Sequence, residues 1–196
     1  MARWQPERAD VIAEYAREVL EVHPRGRLVV GLDGIEAVAE GAEPSARESF
    51  GTELASAFLA SGVASRALAM GPFATEPLPA DPARLYDEGA FREQLLTPFR
   101  RGMLPGVEGD RAVLVVTGAF LHLGDLAGVW HTSAWLQLPR ERARELDAAR
   151  LPGVDASAWN ALVDLAFRRS DARKLANATF SLVDPDHPRR EFEDAC

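Results

Sequence analysis

The fold is decided by Ala112-Val113-Leu114-Val115-Val116, an apolar stretch near the middle of the 196-residue chain. Valine dominates this stretch, and no polar side chain alternates with the apolar ones. A strand with one solvated face alternates apolar and polar residues, whereas a strand of a parallel sheet is covered on both faces. The stretch therefore predicts an interior strand of a parallel sheet.

Apolar stretches on either side predict four more strands, and the segments between them predict helices. The further strands are expected at residues 27–33, 67–70, 133–138 and 179–183. Helices are expected at residues 11–22, 50–58, 91–96, 140–150 and 159–167, and Pro98 is expected to end or kink the third. Strands that alternate with helices predict a three-layer α/β/α domain around a central parallel sheet of about five strands.

Composition indicates one globular domain, with 47% hydrophobic and 27% charged residues. We expect residues 1–24 to hold an N-terminal helix, residues 25–188 to form the core and residues 189–196 to form a tail. The net charge of −8 argues against a nucleic-acid partner. No apolar run approaches the ~18 residues of a membrane span, and no signal peptide is visible, so we expect a cytoplasmic protein without a membrane partner.

Metal sites and disulfides are not expected either. Cys196 is the only cysteine, which excludes a disulfide framework and a cysteine-based zinc cluster. Four histidines lack the spacing of metal-ligand motifs: His23, His122, His131 and His187.

The segment after the first predicted strand is where a ligand is expected, because open parallel sheets bind ligands at the carboxyl ends of their strands. Asp33-Gly34 follows the strand there, and a helix with Phe50, Leu54 and Phe58 comes after it. This start resembles the P-loop kinases of the uridine kinase and phosphoribulokinase family. Later fragments resemble the family in the same order: Tyr86-Asp87, residues 113–121, residues 135–139 followed by Arg140, Arg142 and Arg144, residues 171–173 and residues 183–185.

The resemblance implies a P-loop NTPase-like fold and phosphate transfer from Mg-ATP, but the phosphate loop departs from the pattern. A P-loop needs G-x-x-x-x-G-K-[ST], whose glycines and lysine surround the phosphates and whose hydroxyl holds Mg²⁺. Counting from Gly34 without a gap places residues 39–41, Ala-Glu-Gly, at the Gly-Lys-Ser/Thr positions, and aligning the helix places residues 46–49, Ala-Arg-Glu-Ser, there. The family's general base falls on residues 71–74, Gly-Pro-Phe-Ala, and its strand-ending acid falls on Thr117.

We therefore expect a vestigial nucleotide/phosphate site at Asp33, Gly34, Arg47 and Ser49, with no catalytic residue. Arg140 and Arg144 are candidates for a lid, although interleaved acids make a salt-bridged surface helix an equal alternative. Asp33 could hold Mg²⁺ or cap the turn. Arg47 could contact phosphate, but pairing with glutamates on a solvated helix start is favoured.

The start of this helix predicts a self-filled site. Ser45 and Glu48 fit a capping box, which would occupy N–H groups that a phosphate needs. Four glutamates, which are Glu36, Glu40, Glu43 and Glu48, crowd the segment and would repel a polyphosphate. The inserted residues are expected to form a short helical turn that buries Ile35, Val38 and Ala39 and ends at Gly41.

Two functions follow as hypotheses. The favoured one is a uridine-kinase-like protein without phosphotransfer activity and without a cofactor, which binds or regulates through a protein partner or a second copy. The alternative is an active ATP-dependent kinase of a nucleoside or another small hydroxyl-bearing molecule. In that alternative Arg47 replaces the lysine, Ser49 holds the metal and the arginine-rich helix closes over the γ-phosphate.

Overall fold

Six strands form one sheet in a computed structural model that describes residues 6–151 and 153–192. They are β1 (Arg27–Asp33), β2 (Ala64–Ala69), β3 (Ala112–Gly118), β4 (Thr132–Gln137), β5 (Ala178–Ser181) and β6 (Arg189–Glu191). Their order in the sheet is β2-β3-β1-β4-β5-β6, and every neighbouring pair is parallel except β5 and β6. The predicted three-layer α/β/α fold with five parallel strands is confirmed, and an antiparallel sixth strand is added.

Seven α-helices accompany the sheet in the part of the chain that the structure describes. They are α1 (Arg8–Val22), α2 (Ala46–Ala60), α3 (Glu88–Phe91), α4 (Thr97–Arg100), α5 (Arg140–Arg150), α6 (Ala156–Arg169) and α7 (Ala172–Leu175). A π-helical segment, Arg92–Leu96, joins α3 to α4, so the helix continues through Pro98 to Arg100. Proline lacks an N–H and its ring clashes with the carbonyl four residues before it, and the wider π-turn relieves this conflict.

Fully buried residues of the core lie where β1, β3 and α2 meet. Residues 113–116 of β3 are inaccessible to solvent, as predicted for a strand covered on both faces. Phe50 and Phe58 of α2 are also fully buried, and Gly51 allows the helix to approach the sheet. A Cβ at Gly51 would lie only 2.5 Å from Cγ2 of Thr117. This close packing fixes the start of α2 near the carboxyl end of β1.

The connections of the sheet place a crevice at the ends of β1 and β3. From β1 the chain crosses to β2 on one side, whereas from β3 it crosses to β4 on the other side. Asp33, the last residue of β1, lies beside Gly118, the last residue of β3. Ligands of open α/β sheets bind where the strand order reverses in this way. Both the sequence and the topology therefore direct attention to the loop that follows Asp33.

Part of the expected C-terminal tail is a strand. Residues 189–191 pair with β5, and the Arg190 guanidinium donates hydrogen bonds to both carboxylate oxygens of Glu18 on α1. Arg-Arg-Glu carries no apolar strand pattern, so this strand depends on pairing with an existing sheet edge rather than on local propensity. Residues 1–5 and 193–196, including Cys196, lie outside the described residues. No helix within residues 6–151 and 153–192 is both long and apolar enough to cross a membrane.

Candidate functional site

The loop 34–45 joins β1 to α2 and has no regular secondary structure, so the predicted helical turn is wrong. Its backbone groups are bound by side chains from elsewhere instead of by one another. Asp147 Oδ2 accepts a hydrogen bond from Ala37 N (3.0 Å), the Arg150 guanidinium donates to Ala37 O, and Trp159 Nε1 donates to Ile35 O (3.1 Å). Contacts with α5 and α6 therefore outweigh the local preference for a helical turn.

Burial within this loop follows the prediction in part. Ile35 is buried, whereas Val38 and Ala39 are half-buried. Gly41 adopts a φ of +71°, which favours glycine, in a turn with Glu40. The loop thus ends its apolar segment at Gly41, as expected, without the helical turn.

The capping box at the start of α2 is confirmed. Ser45 Oγ accepts a hydrogen bond from Glu48 N at 3.1 Å, and Ser45 N donates to Glu48 Oε2 at 2.6 Å. These two bonds satisfy the third N–H group of the helix and the N–H group of the cap. The first two N–H groups of α2 remain to be satisfied by other acceptors.

Glu36 fills that remaining position. Its Oε1 accepts from Ala46 N and its Oε2 accepts from Arg47 N, each at 3.0 Å. Only 3% of Glu36 is exposed. The partly positive start of a helix is a general anion site. An internal carboxylate therefore occupies the anion site at the start of α2.

The sequence drew attention to Glu36 only as one of four repelling glutamates. Its role as the anion on α2 was missed, because ten residues separate it from Ala46 and no local motif spans that distance. A general signal did exist, since a helix start favours a carboxylate. That signal does not identify which of several neighbouring acids is used.

Arg47 is fully buried, so the expected solvated helix start is wrong. It precedes Gly51 by four residues and therefore shares the face of α2 that packs on the sheet. Its Nη1 donates to Glu36 O at 3.2 Å, while Nε and Nη2 have no hydrogen-bond partner among the described residues. A buried guanidinium with so few partners is costly. Its position under α2 does not present it to an incoming phosphate.

Tyr86 lies within the electrostatic field of this buried cation. Its hydroxyl oxygen accepts a hydrogen bond from Ala119 N at 2.8 Å, next to the end of β3. Burial raises the pKa of the Tyr86 hydroxyl well above its usual value, and the charge of Arg47 opposes that rise. Tyr86 is therefore neutral, and its hydroxyl lies close to Gly118 at the end of β3.

A buried chain of three polar side chains starts at Asp33. Asp33 Oδ2 lies 2.8 Å from Nδ1 of His122, and Nε2 of His122 lies 2.9 Å from Oγ of Ser133. Because a carboxylate only accepts hydrogen bonds, Nδ1 of His122 is the donor to Asp33. Asp33 Oδ1 also accepts from Gly34 N at 2.8 Å. Both oxygens of Asp33 are thus engaged, which favours the turn-capping role over a Mg²⁺ ligand.

This chain has the order of a Ser-His-Asp triad but not its accessibility. Ser133 lies within β4 and is 3% exposed, and a nucleophile has to reach its substrate. The three residues instead connect β1, β4 and the loop after β3. The sequence did not indicate this network, because 89 residues separate Asp33 from His122.

Gly34 and Ser49 are also placed near the start of α2. A Cβ at Gly34 would lie 3.1 Å from Leu136 O and 3.5 Å from Nη1 of Arg47, so the backbone is tightly enclosed there. Ser49 Oγ donates to Ser45 O at 3.0 Å, which is a bond within the first turn of α2. The structure thus brings Asp33, Gly34 and Arg47 together and leaves the Ser49 hydroxyl bonded to its own helix.

The two lid candidates contact α6. Arg140 Nη1 lies 2.5 Å from Oδ1 of Asp164, and Arg144 Nε donates to Oδ1 of Asn160 at 2.9 Å. Arg150, from the same helix, contacts the loop 34–45 instead. Its side chain is 8% exposed, and it lies 2.9 Å from Oδ1 of Asp147. The described structure therefore supports the salt-bridged alternative for Arg140. The arginine of α5 that contacts the loop 34–45 is Arg150.

Comparison with solved structures supports the architecture. A candidate uridine kinase from Bacillus stearothermophilus superposes with a TM-score of 0.58, at 13% identity, over 87% of this chain and 97% of that chain. A candidate fructose transport system kinase from a Silicibacter species superposes with a TM-score of 0.54, at 21% identity, over 78% of this chain and 94% of that chain. No protein-family model and no curated protein matches the sequence significantly. The chain thus has the fold of the kinase-like P-loop NTPases.

Proposed function

We propose that this chain is a uridine-kinase-like protein that does not transfer phosphate and that acts by binding. The observation that carries the proposal is the Glu36 carboxylate on the first two N–H groups of α2. Together with the Ser45 cap, it leaves no free N–H group at the helix start for a phosphate. The fold is retained, while the feature that binds anions is satisfied from within.

The residues present do not fit Mg-ATP. Lys174 is the only lysine of the chain, and it pairs with Asp171 beside α7, 3.2 Å from its Oδ2. No lysine can therefore reach phosphate oxygens from the loop 34–45. A phosphate beside Glu36 would also meet a like charge, which costs about 1 kcal/mol at 4 Å in water and several times more when partly buried.

The other chemical requirements of a kinase are also unmet. The segment that follows β2, Gly71–Phe73, forms a 3-10 turn without an acid, and Thr117 stands near the end of β3 where the family places an acid. A hydroxyl acceptor would have no carboxylate from these positions to take its proton. These two positions support the absence of phosphotransfer independently of Glu36.

Calorimetric titration of Mg-ATP into the full chain tests the proposal. We expect no heat of binding up to millimolar nucleotide, and no phosphorylated product with a panel of nucleosides. Micromolar binding would overturn the proposal. Turnover that is lost in an Arg47→Ala variant shown by circular dichroism to be folded would support the alternative, an active kinase in which Arg47 replaces the lysine. The protein partner or second copy expected from the sequence stays a prediction.

A further inference from the structure

An open groove lies beside the loop 34–45, between the segment after β2 and the start of α6. Its volume is about 580 Å³, which is within the usual range for small-molecule sites. Leu85 and Trp159 line it and are themselves buried, with 1% and 5% exposure. Leu78 and Val154 also line it and are 37% exposed. The groove thus offers apolar surface to a ligand.

The charges on this groove all have one sign. Its ionisable lining residues are Glu40, Glu76 and Asp155, and among the residues that the structure describes no arginine, lysine or histidine lines it. Asp155 accepts hydrogen bonds from Ser157 N and Ala158 N at the start of α6, so its charge is partly balanced. Glu40 and Glu76 are exposed, and neither forms an ion pair within the described residues. A groove with walls of one charge concentrates ligands of the opposite charge.

We infer that this groove binds a small organic cation, a protonated amine carried on an apolar body. The apolar body would contact the side chains of Leu78, Val154 and Trp159, and the ammonium group would lie near Glu40 and Glu76. A nucleotide or another anion is disfavoured by the same charges. The inference rests on the proposed function, because it names the ligand class of a protein that binds without transferring phosphate.

Trp159 gives the groove a fixed wall. Its Nε1 donates to Ile35 O at 3.1 Å, and its ring stacks on Phe120 with centroids 5.4 Å apart. Two contacts on one side chain hold the ring in place before a ligand arrives. A wall that is already ordered lowers the entropic cost of binding.

Three ligands that share an indole-ethyl body but differ in charge test the inference: tryptamine is a cation, tryptophol is neutral and indole-3-propionate is an anion. In calorimetry at low salt, we expect tryptamine to bind about fivefold or more tightly than tryptophol, and indole-3-propionate to bind most weakly. Added salt should narrow these differences, because salt screens exposed charges. Equal affinities, a preference for the anion, or no tryptamine binding at millimolar ligand would overturn the inference.

Charge-neutral variants separate the effect of charge from that of shape. Glu40→Gln and Glu76→Gln are each expected to weaken tryptamine binding about two- to fivefold and to leave tryptophol binding unchanged. Glu43→Gln is the matched control, because Glu43 is exposed on the same loop but does not line the groove. An equal loss for tryptophol, or an equal effect of Glu43→Gln, would contradict the assignment.

The Mg-ATP titration distinguishes failure of this inference from failure of the proposed function. Amine binding together with micromolar ATP binding would refute the proposed absence of kinase function and leave the groove assignment intact. An absence of both would refute the groove assignment alone.

Discussion

Glu36→Ala removes the carboxylate that accepts hydrogen bonds from Ala46 N and Arg47 N, each at 3.0 Å. Hydrogen bonds to a charged group contribute about 1.5–3 kcal/mol each, so two of them set an upper limit of about 6 kcal/mol. Water that enters the space left by the side chain would hydrogen-bond the two N–H groups and recover part of this free energy. We therefore expect Glu36→Ala to lower the free energy of unfolding by about 2–4 kcal/mol.

The control is Glu43→Ala, which removes an exposed glutamate from the same loop. An exposed substitution of this kind changes stability by less than about 0.5 kcal/mol. Urea denaturation followed by circular dichroism measures both variants, and thermal melts give a second measurement. For a domain of this size, 1 kcal/mol corresponds to about 2–4 °C, so we expect the melting temperature of Glu36→Ala to fall by roughly 5–15 °C.

Added phosphate then tests why Glu36→Ala is less stable than the natural chain. In Glu36→Ala the first N–H groups of α2 become free to bind an anion, so phosphate should stabilise this variant more than Glu43→Ala in the same buffer. The control is needed because phosphate strengthens burial in proteins generally. A loss below about 1 kcal/mol in Glu36→Ala would refute the anchoring role of this carboxylate. Equal phosphate effects on the two variants would refute its role as an internal anion.

Two other ion pairs give predictions. Arg150→Ala removes a nearly buried guanidinium that donates to Ala37 O and contacts two carboxylates, so we expect urea denaturation to show a free energy of unfolding lower by about 2–4 kcal/mol. The exposed control, Arg142→Ala, should lower it by less than about 0.5 kcal/mol, and equal decreases in the two variants would contradict the role of Arg150. The hydrogen bond from Arg190 lowers the pKa of Glu18 below its ordinary 4.5. The stabilisation from this ion pair is present above about pH 4.5 and is lost as pH falls through the lowered pKa, so Glu18→Gln should lose less stability than the natural chain between pH 5 and 3. Urea midpoints that are identical for the variant and the natural chain across that range would contradict the pairing.

Local patterns predicted the elements whose signature lies within a short window of sequence. The unbroken apolar run at 112–116 predicted β3, and the spacing of Ser45 and Glu48 predicted the cap of α2. The strand β6 could not be predicted in this way, because it pairs with β5 and because Arg190 contacts Glu18, which lies 172 residues away in the sequence. Contacts across many residues have no signature in a short window of sequence.

The burial of Arg47 could have been predicted from its helical spacing, although its charge suggested the opposite. Its charge suggested a solvated position, but it lies four residues before Gly51 and seven before Leu54, on the face of α2 that packs on the sheet. Helical spacing alone would have predicted its burial. The same helix face also explains why its guanidinium points beneath α2 toward Gly34 and not outward.

Glu36 is held in place more firmly than a single side chain on a free loop would be. Contacts from Asp147, Arg150 and Trp159 fix the backbone on both sides of it, at Ile35 and Ala37. A tethered group acts at an effective concentration that is already millimolar for a flexible connection and higher when the connection is ordered. A nucleotide would have to compete against this concentration, release the loop contacts and approach a like charge, all without a lysine. On the proposed function, the fold persists while an internal carboxylate satisfies the start of α2, because a fold constrains the position of a site and not the ligand that fills it.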